Sequence, residues 1–140
     1  MTDPRSPTAE AYRTLRTNVN YASVDKPLRT LMITSAEAGE GKTTTVSNLA
    51  VVLAQNGKQV IVVDCDFRHP RIHVQFRLSN RNGMSNLFSQ PTFMLDGSCK
   101  PSGVDNLSVL TTGSLQPNPA DLLGSQKMQS ILAAMTQNAD

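Results

Sequence analysis

The sequence predicts an α/β fold, a mostly parallel sheet flanked by helices, and three observations carry that expectation. Two apolar, β-prone runs, LRTLMITS at Leu28 to Ser35 and QVIVVD at Gln59 to Asp64, read as strands buried on both faces. Between them Val46, Leu49, Ala50 and Leu53 recur at helical spacing, and that pattern stops at Asn56 and Gly57, a C-terminal helix signal. A glycine-bearing stretch, AEAGEGKT, joins the first run to the helix. Strand, loop, helix, strand is a βαβ unit, with parallel strands and a right-handed crossover.

The remaining elements follow in chain order. Ser6 before Pro7 is a helix start, a capping hydroxyl with proline at the first helical position. Tyr12, Leu15, Val19 and Ala22 then form an apolar stripe, so Pro7 to about Ser23 is expected to be an amphipathic helix. Residues Arg77 to Gly103 are turn-rich, with a short helix near Met84 to Phe88, and LSVLTT at Leu107 to Thr112 reads as a third strand. Pro117 to Pro119 opens a turn before one or two helical segments over Ala120 to Met135.

At 140 residues the chain is expected to be a single domain. The formal charge of +2 gives no reason to expect nucleic-acid binding. Its longest apolar run, Leu49 to Ala54, is far short of the roughly 18 residues of a membrane span, and MTDPRSPTAE is no signal peptide. A cytoplasmic location is expected. Cys65 and Cys99 make no disulfide framework, and although Cys65, His69 and His73 share a four-residue spacing, Pro70 interrupts the helix they would need as metal ligands.

AEAGEGKT, Ala36 to Thr43, fits a relaxed phosphate-binding loop with alanine where the strict pattern begins with glycine. Small residues let the backbone of Ala38, Gly39, Glu40, Gly41, Lys42, Thr43 and Thr44 curl into a concave anion site at a helix N-terminus. Lys42 then reaches the β- and γ-phosphates of a nucleotide, and the Thr43 hydroxyl ligates Mg²⁺. Thr44 stands where a dinucleotide fingerprint needs its third glycine, so that reading fails. These elements specify a P-loop NTPase-like sheet.

VIVVDCDFRHPRIH puts Asp64 and Asp66 at the carboxyl end of the second strand, where α/β ligands bind. Residues two apart on a strand share a face, so both carboxylates are expected to hold Mg²⁺ or its waters, and one to accept a proton from an attacking hydroxyl. Arg68, Arg71, Arg77 and Arg81 read as solvated surface charges.

With both motifs in view, the chain resembles the bacterial protein-tyrosine kinases of capsular and exopolysaccharide synthesis. SAEAGEGKTTTVSNLA resembles their Walker A segment and DCDFRHPRIH their second acidic motif, while TTGSLQPNPADLL resembles a PNPxELL stretch. The resemblance implies ATP and Mg²⁺ as cofactors, Lys42, Asp64 and Asp66 as catalytic residues, and Thr43, Asp64 and Asp66 as metal ligands. EAYRTLRTN matches the family's ExxRxxR element in Glu10, Arg13 and Arg16, which implies ring-like self-association; read by itself, the spacing also allows an ordinary surface ion pair. The implied partners are tyrosine-containing protein substrates and a separate transmembrane polysaccharide co-polymerase or activator that recruits the chain to the inner face of the membrane.

The sequence departs from that family in two ways. The apolar Walker B strand and the C-terminal tyrosine cluster do not occur before Asp140, and the tyrosines present are Tyr12 and Tyr21. The expectation is therefore the N-terminal part of a kinase domain, incomplete at its C-terminus, with one flank of the first strand uncovered and weak activity alone. Two alternatives stand beside it. One is a partitioning or septum-positioning ATPase, disfavoured because Glu37 replaces that class's signature lysine; the other is a non-catalytic nucleotide-binding remnant.

Overall fold

The computed structural model describes residues 6–22, 26–95 and 97–140. Helix α1 runs Pro7–Tyr21 and starts as expected, with the Ser6 hydroxyl accepting the Ala9 N–H and Pro7 in the first turn. The face it turns inward is rotated from the expected stripe: Ala9 is buried and Tyr12, Arg16 and Val19 are half-buried, whereas Leu15 and Ala22 face solvent. Arg16 lies on this inner face because its long stem covers α2, Lys42–Gln55, while its guanidinium donates to the Val52 carbonyl at 3.4 Å.

Strand β1, Val60–Val63, pairs in parallel with β3, Leu107–Leu110, in the register Val60 to Leu107 through Val63 to Leu110. A short β2, Lys100–Pro101, pairs antiparallel to the other edge of β3, so the sheet is mixed with order β1-β3-β2. Side-chain alternation divides the core into two layers. Val60, Val62, Leu107 and Val109 pack with Ala50 and Ala54 of α2 and with Ile72 and Phe76 in and after α3, Ile72–Gln75. Ile61, Val63 and Leu110 pack on the opposite face with Met84 and Leu87 of α4, Met84–Ser89, and Met128, Ile131 and Met135 of α6, Gln126–Asn138. Helix α5, Pro119–Leu123, follows the PNP turn.

The expected first strand does not form. Residues 28–35 carry no secondary structure, and Leu28, Leu31 and Met32 are 48%, 48% and 84% exposed. A strand needs a ladder partner and a face to pack on. Among the described residues no strand pairs with this segment, and the sheet ends at β1. The parallel pair observed is therefore β1 with β3, and not the predicted pairing of Leu28–Ser35 with the strand after α2. The segment is tied down at its ends, where Arg29 donates to the carbonyls of Thr136 and Ala139 and Ser35 joins the glycine loop.

Candidate nucleotide-phosphate site

The loop owes its shape to two glycines. Gly39 and Gly41 have φ of +84° and +89°, a left-handed backbone that side-chain-bearing residues rarely adopt, and open space around both shows that conformation sets the requirement. Gly41 is also the N-cap of α2 and offers no side-chain cap, so the first-turn N–H groups of the helix remain available to an anion. Lys42, half-buried, folds back over the loop: its ammonium donates to Ser35 Oγ at 2.8 Å and to the Glu37 carbonyl at 3.1 Å. The Glu40 carboxylate accepts the Glu37 N–H at 3.1 Å. Thr43 is half-buried in the first turn, and Thr44 is exposed beside it.

The two aspartates do not extend the strand together. β1 ends at Val63, although the Asp64 N–H still donates to the Leu110 carbonyl at 2.9 Å, and the chain bends at residues 67–69. Asp64 is buried, its Oδ1 accepting the Asp66 N–H and its Oδ2 the Ile72 N–H, both at 3.1 Å. Asp66 is exposed and accepts the N–H groups of Arg68 and His69 at 3.1 and 2.8 Å. Asp64 thus ties down the segment that carries Asp66, and Asp66 the bend that follows it, which corrects the expectation of two carboxylates presented alike from one strand face. Burial pushes the Asp64 carboxyl above the usual carboxylate range, partly offset by the N–H groups of Ile72 and Asp66.

Sequence reasoning missed the support behind this turn. Thr111 and Thr112, just past β3, are fully buried, and the Thr112 hydroxyl donates to the Asp64 carbonyl at 3.3 Å. Asn80 clamps Gly113 through two hydrogen bonds of 2.9 and 3.0 Å, and Lys100 donates to the carbonyls of Ser79 and Asn82 and to Thr111 Oγ1. Gly83 lies so close to this strand end that a Cβ would fall 2.1 Å from the Thr111 carbonyl oxygen. The pair of threonines and Gly113 were visible in sequence, but their partners lie 11 to 48 residues upstream with no pattern linking them.

Elsewhere, Arg68, Arg71, Arg77 and Arg81 are all exposed. Glu10 and Arg13 form an intrahelical ion pair at 2.9 Å, and Arg16 is directed at α2, so the three residues do not act as one group within this chain. Burial, and then the neighbouring Asp64 charge, push the Cys65 thiol up to about 11.

Residues 31–139 match the family described as the CobQ/CobB/MinD/ParA nucleotide binding domain. The chain belongs to this family. It is similar to the tyrosine-protein kinase YwqD of Bacillus subtilis (strain 168), with 46% identity over 131 residues. That alignment covers 94% of the chain and 55% of YwqD. The crystal structure of the chimerical protein CapA2B2 superimposes with a TM-score of 0.90 at 35% identity, covering 98% of the chain and 60% of that protein. The kinase domain of the Escherichia coli tyrosine kinase ETK gives 0.87 at 33% identity, covering 98% and 53% respectively. The chain therefore spans a little over half the length of these relatives, and its nucleotide-binding family and α/β P-loop fold are those the sequence predicts.

Proposed function

We propose that residues 1–140 are one P-loop unit of an ATP-dependent protein-tyrosine kinase that regulates capsular or exopolysaccharide synthesis. The observation that carries this reading is the ammonium of Lys42 held within a loop of two left-handed glycines, directly before an uncapped helix N-terminus. Hydroxyl and carboxylate oxygens are the donors Mg²⁺ favours, so the residues fit MgATP. Backbone N–H groups of Ala38 to Thr44 and the Lys42 ammonium bind the phosphates, while Thr43, Asp66 and Asp64 hold the metal. Mg²⁺ supplies charge neutralisation on the transferring phosphoryl group. Asp66, exposed beside Asp64, is the better placed of the two to take the proton of an incoming tyrosine hydroxyl.

Self-association through Glu10, Arg13 and Arg16, tyrosine-bearing protein substrates and a separate transmembrane activator complete the reading, with the protein working at the inner membrane face. Among the described residues no helix is long and apolar enough to cross a membrane. Glu37 argues against the partitioning-type ATPase, since its side chain brings negative charge where that class brings a lysine. Because residues 28–35 are unpaired, catalysis by this chain alone is expected to be weak even where binding is intact. Titration calorimetry with MgATP tests the proposal: Lys42→Met is expected to weaken binding by about tenfold or more, and radiolabelled ATP should mark tyrosine only with Lys42 present. Unaltered affinity in the Lys42→Met variant would refute the assignment.

A further inference from the structure

Glu40 occupies the centre of the loop, yet its side chain is not turned away from the site. Four residues close on one another there. The Lys42 ammonium bonds Ser35 Oγ and the Glu37 carbonyl, the Ser35 hydroxyl donates to that same carbonyl at 2.9 Å, and Glu37 N–H donates to Glu40. The Glu40 carboxyl is held below its usual range by the Glu37 N–H above all, with the Lys42 charge also contributing, so it is an anion under ordinary conditions.

We propose that the Glu40 carboxylate, tethered to the Glu37 N–H within the loop that carries Lys42, repels the nucleotide's phosphates and so weakens their hold on the site. The inference rests on the nucleotide-binding reading above and concerns how tightly that site holds its ligand. Three features set the size of the effect. Glu40 is exposed, so nothing in the packing prevents its departure. Its single strong tether is a hydrogen bond within three residues of itself, inexpensive to exchange for water. A phosphate arriving at Lys42 enters the field of the Glu40 charge, which the Lys42 ammonium itself feels, and a more highly charged phosphate tail meets more repulsion.

Charge and shape are separable in the test. Glu40→Gln keeps an oxygen that accepts the Glu37 N–H but removes the charge, whereas Glu40→Ala removes both. Binding of MgATP and MgADP to the purified chain is measured by calorimetry at low and high salt, with Lys42→Met as reference. The expected result is an affinity gain for Glu40→Gln of about three- to tenfold with MgATP, less with MgADP, and shrinking as salt screens the site. Unchanged or weaker MgATP binding by Glu40→Gln overturns the proposal while leaving the nucleotide site intact. Tighter binding by Glu40→Gln that is the same for both nucleotides and insensitive to salt also overturns it, because the effect is then not one of charge. Absence of MgATP binding in the parent, Glu40→Gln and Glu40→Ala chains alike overturns both this proposal and the reading beneath it.

Discussion

Two stretches of this chain look alike on paper, LRTLMITS at residues 28–35 and LSVLTT at residues 107–112, and the structure treats them as opposites. The second becomes β3, paired on both edges, with Val109, Leu110, Thr111 and Thr112 essentially inaccessible to solvent. The first stays without regular structure, its Met32 84% exposed. Composition is nearly matched, so what separates them is company: β3 lies between β1 and β2, and residues 28–35 have no strand beside them among the described residues. β-propensity expresses fit to neighbours, and a stretch without neighbours has nothing to fit.

That contrast can be broken experimentally, most forcefully in the core. Leu110→Ala empties a fully buried site between the sheet and the second core layer and is expected to cost about 3 kcal/mol, read from urea unfolding. Asp64→Ala strips the acceptor from the N–H groups of Ile72 and Asp66 at the strand end and should cost about 2 kcal/mol. Asp64→Asn, which retains one acceptor oxygen, should cost about 1 kcal/mol in the same assay. Should the two Asp64 variants be equally stable, the turn is not held by these hydrogen bonds.

A pH experiment sharpens the comparison further. Because folding raises the Cys65 thiol from 9.0 to about 11, the unfolded chain releases this proton first, and stability should fall as pH rises across that window. Alkylation of Cys65 in the native protein should accordingly be slow at pH 8 and accelerate toward pH 11. The smallest effect belongs to the unpaired stretch: Met32→Ser should change stability by less than about 0.5 kcal/mol, since little surface there is buried. A loss comparable to that of Leu110→Ala would mean that residues 28–35 are packed in solution.

Much of the fold was legible because several local signals agreed. The α2 helix, its stop at Asn56 and Gly57, and strands β1 and β3 each rest on periodicity and punctuation that no distant residue needs to supply. The glycine loop was legible for the same reason, since Gly39 and Gly41 are required by their own backbone angles. What escaped depends on distance. Lys100 bridging two carbonyls and Thr111, Asn80 gripping Gly113, and Gly83 lying against Thr111 are side-chain and backbone encounters without sequence periodicity. The inner face of α1 was misjudged by treating Arg16 as polar, when its stem serves as packing. The paired aspartates were misjudged because strand geometry was carried on to Asp66, three residues past the end of β1 at Val63.

Arg29 is fastened to the carbonyls of Thr136 and Ala139, 107 and 110 positions later, and Gln59 to Asp140, 81 positions later. During translation at about 5–20 residues per second, Arg29 therefore leaves the ribosome on the order of 5–20 seconds before its acceptors exist. For that interval the approach to the phosphate loop lacks these tethers, and Leu28, Leu31 and Met32 are exposed apolar side chains there that a holding chaperone could meet.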